Sequence, residues 1–418
     1  MAVTEGASNA GTLVVGAGQA GVELAGSLRK LGASGPITLL SAEARLPYQR
    51  PPLSKAFLKG ELPEERLALR GADFYAAQQI ELVRGEWIED ITVTDPERGT
   101  GVATTRSGQT MVFDRLALAT GGTPRRLRIP GSELTGIHYL RDIDDAVALR
   151  HDLDQARDVV VVGGGFVGLE AAAAATAAGK NVTVVEAADR LLARAVAPEV
   201  SGFYMAAHQR RGTEVVLSTE VTEILGRDRV TGVGLSDGRT IPADVVVVGI
   251  GLVPHTELAE KLGLACAGGI VVDESSRTST PSVVAAGDCT IVAHPDHGAI
   301  RLESVPNAIA QAKTAAATLL GKDAPDAGVP WFWSDQADLK LQIAGISSGF
   351  DETVLRGDPG SERFSLFYYR GGRLVAIDAV NAPRDYMAVR KLLEAGRTVP
   401  PHVAADTEVA LKELLRAA

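Results

Sequence analysis

The stretch Val159–Glu186, reading VVVVGGGFVGLEAAAAATAAGKNVTVVE, constrains this chain more than any other. Four valines, Val159 to Val162, suit a strand buried on both faces, and Gly163, Gly165 and Gly168 then form G-x-G-x-x-G at the entry to an alanine-rich helix. Gly163 permits a tight turn, Gly165 lets a pyrophosphate approach the backbone, and Gly168 lets the helix lie close to the strand. Free N–H groups at the helix start then face the anion. A second strand, Val182–Val185, ends in Glu186, 18 residues beyond Gly168. A carboxylate there accepts hydrogen bonds from an adenosine ribose and repels a 2'-phosphate, which predicts NADH over NADPH. The glycine spacing alone would be weak evidence, but strand, helix and terminal acid agree.

The design occurs twice. Leu13–Val15 reads as a short strand, Gly16, Gly18 and Gly21 repeat the motif, Val22–Leu31 reads as the helix, and Ile37–Leu40 as the next strand. Two dinucleotide folds imply two dinucleotides, one held permanently and one exchanging. The acid expected after the second strand is displaced. Ala42 stands in its place and Glu43 follows, so either Glu43 or water meets the ribose.

At 418 residues the chain exceeds one ordinary core and predicts about two or three domains. Leu116–Pro124, which holds Thr120 and Gly121, Asp244–Gly251 and Ser282–Asp288 each read as a strand running into glycine. The second dinucleotide fold lies between the first two of these. Residues 1–114 and 244–323 are therefore expected to close into one discontinuous domain around an inserted domain, 115–243. Ala324–Pro330 reads as a linker. Strands at Trp331–Gln336, Leu339–Ile343, Phe364–Tyr369 and Leu374–Val380, with a helix at Tyr386–Ala395, then make 324–418 a smaller α+β domain. The fold class is α/β: two Rossmann-like dinucleotide-binding domains plus a C-terminal α+β domain.

Between the repeats lies PYQRPPLSK, Pro47–Lys55. Pro51 and Pro52 predict an extended segment, after which Ser54 caps a new helix. A rigid loop ending in a lysine suits a ligand site. Only two cysteines occur, Cys266 and Cys289, without CxxC spacing, so no disulfide framework or zinc site is read, and Cys289 is expected to be buried structure. His294 and His297, with proline and aspartate between them, are not expected to bind metal. The net charge of −10 argues against nonspecific nucleic-acid binding. The first ten residues lack signal-peptide features and read as a flexible tail. No apolar run reaches the roughly 18 residues that span a membrane, so the expected setting is cytoplasmic, away from membranes.

In this order the pieces resemble the putidaredoxin-reductase type of ferredoxin reductase, within the glutathione-reductase-like flavoproteins. The resemblance covers nearly the whole chain and is carried by RPPLSK at Arg50–Lys55, GGGFVGLE at Gly163–Glu170, GDC at Gly287–Cys289, RLESVPNA at Arg301–Ala308 and PWFWSDQ at Pro330–Gln336. It implies tightly bound FAD in the first dinucleotide fold and exchanging NADH in the second. By motif, Ala20, Lys55, Ile88, Arg141, Asp288 and Val305 are implied FAD contacts. Gly16, Gly18, Gly21, Glu43, Thr120 and Gly121 complete that site. Gly163, Gly165, Gly168, Glu170, Glu186 and Gly251 form the NAD site. Lys55 and Glu170 are implied to be a catalytic ion pair beside the flavin's central nitrogen. The chain departs from the family at Ala42 and at Thr123, where an acid and an arginine are usual.

The implied activity takes hydride from NADH and passes electrons singly to a two-iron ferredoxin, which serves a haem-thiolate monooxygenase or a ring-hydroxylating dioxygenase. The chain would be a monomer or weak dimer. Trp331 and Trp333 would border the ferredoxin. Because the chain is net negative, a local basic patch of Arg301, Lys340 and Arg384 would receive an acidic partner. The alternatives are a rubredoxin reductase, an NADH oxidase or peroxidase, which the absence of a cysteine in Pro47–Lys55 disfavours, and a signalling flavoprotein resembling apoptosis-inducing factor.

Overall fold

The computed structural model describes residues 7–294 and 297–415. The start of the expected flexible tail and the Pro295-Asp296 pair lie outside them. Ser8 and Asn9, assigned to that tail by sequence, instead open a strand, paired in parallel with Met111 and Val112. The chain falls into two compact units.

The first unit comprises residues up to Gln49, Glu65–Thr123 and Val253–Gly328. Its sheet has the order β3-β2-β1-β6-β5-β4, where β1 is Ser8–Val15, β2 Ile37–Ser41, β3 Ile80–Arg84, β4 Ile88–Asp95, β5 Thr100–Thr105 and β6 Thr110–Leu118. Strands β3, β2, β1 and β6 run parallel, and β5 and β4 continue antiparallel. The far half of β6 pairs in parallel with Val283–Ala285. Leu116–Leu118 is thus covered on both edges, which carries the first fold past the boundary expected at residue 114. The helices Gln19–Lys30 and Val305–Leu319 pack together through small residues, among them Ala20, Ala25, Ala308, Ala312 and Ala315, in one buried cluster. Small side chains let the two backbones lie close over the sheet.

The second unit comprises Arg50–Glu64, Pro124–Leu252 and the chain from Val329. Its parallel sheet has the order Thr213–Val216, Asn181–Val185, Asp158–Val162, Val245–Val248, Ile137–His138. Val245–Val248 had been expected in the first fold. Four valines need neighbours on both faces, and they find them beside Val159–Val162, residue for residue. Apart from Glu170 and Thr176 the helix Phe166–Ala177 is apolar, and it is buried from Gly168 to Ala175, as so apolar a helix must be. An antiparallel sheet ordered Trp331–Gln336, Leu339–Gly345, Arg373–Val380, Arg363–Arg370, Glu352–Asp358 forms the C-terminal part. Sequence reading missed Glu352–Asp358, an edge strand with little apolar alternation. Pro51 and Pro52 do not extend the chain; they open a short 3-10 turn, Pro51–Ser54, because a fixed φ suits a helical start. Ser54 ends that turn rather than capping a helix.

Within the C-terminal sheet Asp378 is fully buried and accepts a hydrogen bond from Tyr368, yet burial pushes its carboxyl up to about 7 from 3.8. The folded protein therefore keeps a proton between these values that the unfolded chain releases. Its contribution is complete below about pH 4 and is lost as pH rises through about 7. Asp378→Asn, which still accepts from Tyr368, should flatten this decline. The thermal midpoint of the variant should exceed that of the parent above pH 7, with the gap closing toward pH 5; a pH-independent gap would count against the assignment.

Candidate active site

The two glycine turns share one geometry. Gly16 and Gly163 adopt φ of +105° and +104°, and a Cβ on either would lie 2.2 Å from the Ala119 carbonyl oxygen or 2.6 Å from that of Gly249. Only glycine fits such a backbone. A Cβ on Gly21 would lie 1.8 Å from the Gly16 oxygen, and one on Gly168 2.3 Å from the Gly163 oxygen. The third glycine is thus where each helix touches its own turn. The middle glycines differ: a Cβ on Gly18 meets nothing within 4 Å, and one on Gly165 nothing nearer than 3.9 Å. Gly18 and Gly165 are also the N-caps of their helices, and no side chain caps either. Open space before uncapped N–H groups is what a pyrophosphate requires, so both turns fit a dinucleotide.

Glu186 ends its strand beside the second turn. One carboxylate oxygen accepts from the Gly164 N–H at 2.5 Å and the other from the Ala188 N–H at 2.7 Å. Gly251 has φ of +108°, and its carbonyl accepts from the Arg125 N–H at 2.9 Å.

In the first unit Glu43 accepts a hydrogen bond from the Tyr48 hydroxyl. Thr120 donates to the His255 carbonyl at 2.8 Å, and the His255 N–H donates to the Gly121 carbonyl at 2.9 Å. Ile88 opens β4 and is buried. Gly287 comes close to Ala20 of the first glycine turn, and Asp288 is the residue after it. The Gly287 N–H donates to the buried Gln311 side chain at 2.8 Å. Val305 begins its helix, capped by Ser304, whose hydroxyl accepts from the Asn307 N–H. Lys55 and Arg141, implied as contacts of the first dinucleotide, are carried by the second unit, where the Arg141 carbonyl accepts from Arg50 at 2.8 Å.

The chemistry concentrates at Glu170. It lies one turn into the helix that follows the second glycine motif, and its side chain is only 4% exposed. Lys55 Nζ sits 2.6 Å from one carboxylate oxygen, to which Ser54 also donates, and Ser334 donates to the other at 2.6 Å. A buried carboxylate is tolerable only when paired and hydrogen-bonded, and this one is both. The resemblance paired Lys55 with Glu170 but assigned no role to Ser54 or Ser334. Both stand inside quoted motifs. The usable signal was alternation in WFWSDQ: Ser334 and Gln336 share the Phe332 face, so a buried Phe332 face demands partners for them.

The cysteines supply no redox pair. Both are free, and burial pushes each thiol up, that of fully buried Cys289 among the Leu118 and Ala286 carbonyls. Trp331 and Trp333 are half-buried with ring centroids 5.6 Å apart, and Arg390 stacks on Trp331 at 5.0 Å. Lys340 and Arg384 are exposed in the same unit, Lys340 within 3.9 Å of Asp335. Arg301 belongs to the first unit, and its guanidinium is engaged by Glu303 at 2.7 Å and the Gly268 carbonyl. The His294 and His297 ring centroids lie 4.7 Å apart with the planes tilted by 56°, and no cluster of three metal-ligating side chains occurs among the described residues. No helix among them is long and apolar enough to cross a membrane.

Comparison with known proteins places this geometry. The pattern described as pyridine nucleotide-disulphide oxidoreductase matches residues 11–312, and that described as reductase C-terminal matches 331–415. The chain belongs to the pyridine nucleotide-disulphide oxidoreductase family. It is therefore an oxidoreductase of a family that uses FAD and NAD(P)H. It is 45% identical to rhodocoxin reductase of Rhodococcus erythropolis, over 96% of this chain and 93% of that protein. Its fold matches the ferredoxin reductase of the CYP199A2 system from Rhodopseudomonas palustris, with a TM-score of 0.92, 43% identity and coverage of 97% and 100%. It also matches the covalent putidaredoxin reductase–putidaredoxin complex, with a TM-score of 0.91, 39% identity and coverage of 98% and 99%. Despite the family's description, both cysteines of this member are free.

Proposed function

We propose that this protein is a cytoplasmic, NADH-dependent ferredoxin reductase that holds FAD tightly and passes single electrons to a two-iron ferredoxin serving an oxygenase. The observation that carries this reading is the buried Lys55–Glu170 pair on the helix of the second glycine motif, in a chain without a redox cysteine pair. Bound FAD supplies the hydride acceptor and the one-electron donor. The chain's own residues do the rest. The turn at Gly16–Gly21 takes the FAD pyrophosphate, with Ala20, Glu43, Ile88, Thr120, Gly121, Arg141, Asp288 and Val305 as further contacts. The turn at Gly163–Gly168 takes that of NADH, with Glu186 at the ribose and Gly251 beside it. Lys55 brings positive charge to the place where the reduced ring becomes negative, and Glu170 fixes the ammonium there. Trp331 and Trp333 border the docked ferredoxin, with Lys340 and Arg384 offering it positive charge.

Glu186→Ala removes the carboxylate that would meet the ribose and repel a 2'-phosphate. The ratio of kcat/KM for NADH over NADPH should fall by about tenfold or more. An unchanged ratio would remove Glu186 from the nucleotide site.

Anaerobic stopped-flow tests the whole reading. NADH should bleach the protein-bound flavin, and the reduced protein should then reduce an oxidised two-iron ferredoxin quickly and saturably. Trp333→Ala should slow the second step and leave the first intact. Fast bleaching with no transfer to any iron–sulfur acceptor would replace the reading by the oxidase or signalling alternative, and transfer to rubredoxin alone by the rubredoxin reductase.

A further inference from the structure

The hydrogen bonds at Glu170 do not stop at Ser334. Ser334 Oγ accepts from Gln336 Nε2 at 3.2 Å, and Gln336 Oε1 lies 2.8 Å from His208 Nε2. All four side chains are buried: Glu170 is 5% exposed, Ser334 0%, Gln336 1% and His208 3%. They come from three separate elements, the helix after the glycine motif, the strand Trp331–Gln336 and the helix Pro198–Arg210.

The donors can point only one way. A carboxylate only accepts, so Ser334 must donate to Glu170. The Ser334 oxygen is then left as acceptor for the Gln336 amide, whose carbonyl oxygen must take the proton on His208 Nε2. Burial holds the imidazole below its usual range, hence neutral, and this geometry selects its Nε2–H tautomer. Each bond is polarised toward Glu170, and a one-directional series of this kind strengthens its last bond.

We propose that Ser334, Gln336 and His208 are positioning residues that hold the Glu170 carboxylate toward Lys55, so that the C-terminal strand Trp331–Gln336 governs hydride transfer from NADH. This rests on the reading of Lys55–Glu170 given above. The same strand presents Trp331 and Trp333 on its alternate face. One element thereby serves both the hydride site and the proposed ferredoxin edge. None of the three touches a reacting atom; they act through Glu170.

The test uses the holoenzyme with Ser334→Ala, Ser334→Thr and Gln336→Met, each alone and combined with Glu170→Gln. Two quantities are read: the thermal unfolding midpoint, and the limiting rate and NADH dissociation constant of anaerobic flavin reduction. Ser334→Ala should slow the limiting rate about tenfold, the scale of one hydrogen bond to a charge, with the dissociation constant within about twofold. Ser334→Thr should restore the rate, and Gln336→Met should fall between. With Glu170→Gln present, Ser334→Ala should change the rate by less than about twofold and lower the midpoint by less than it does in the parent, because no charge remains to be held. An equal loss in both backgrounds, or a lowered midpoint with the parental rate, would overturn the proposal. Parental reduction by Glu170→Gln alone would instead overturn the role of the ion pair. The coupling between the midpoints of Ser334 and Glu170 variants would still decide whether the series holds the carboxylate.

Discussion

Replacing Glu170 by alanine should damage both stability and hydride transfer. The substitution strands three donors at once: the Lys55 ammonium, 18% exposed, and the Ser54 and Ser334 hydroxyls. Removing one partner of a buried ion pair costs roughly 3–5 kcal/mol, because the remaining charge stays out of water without compensation. A loss of that size should lower the thermal midpoint by roughly 3–6 degrees if the chain unfolds as one unit. The surviving Lys55 keeps only the Pro51 carbonyl, 3.4 Å away, as an acceptor, so NADH should reduce the flavin about 10²-fold more slowly, the scale of losing one preorganised electrostatic group. Glu170→Gln keeps an acceptor for each hydroxyl and should spare most of the stability while still slowing reduction. A Glu170→Ala protein with parental midpoint and parental reduction rate would mean that the pair is neither structural nor catalytic.

Gly21→Ala should yield protein that purifies without flavin. The added methyl would lie 1.8 Å from the Gly16 oxygen, a backbone atom that cannot swing away, so the first helix must lift off its turn. Overpacking of this kind costs typically 1–3 kcal/mol, and the displacement also spoils the N–H groups aimed at the pyrophosphate. Gly18→Ala separates the two effects. Its methyl meets nothing within 4 Å, so the midpoint of the flavin-free variant should stay near that of the flavin-free parent while flavin is still lost, because the methyl occupies the anion's place. The ratio of flavin absorbance to protein, with thermal unfolding of both variants, checks the contrast. Full flavin content in Gly21→Ala would overturn the assignment of the first turn.

These outcomes divide along a line that also separates what is local from what is not. The glycine spacings, the valine runs and Glu186 at the end of its strand are legible because each acts over one turn or one strand, where neighbours in sequence are neighbours in space. That is why strand, glycine turn and helix occur where the sequence expects them at Gly16–Gly21 and Gly163–Gly168. Boundaries between folds are less legible. A tetravaline run such as Val245–Val248 says that it must be buried on both faces, but not beside which sheet, and pairing with Val159–Val162 decides it. The RPPLSK loop misleads for a related reason: proline fixes φ in a value shared by extended and 3-10 backbone, so Arg50–Lys55 could be read either way.

The amino-acid sequence by itself determined that this chain builds two dinucleotide folds and a third sheet without a dinucleotide motif, because those choices follow from short-range periodicity and backbone freedom. Only the tertiary structure decided the environment of Glu170. Ser54 and Ser334 reach it from 116 and 164 residues away, and Gln336 and His208 meet across 128. A buried carboxylate must find donors, but which serine, amide or imidazole provides them depends on how four elements pack, and no local pattern records that.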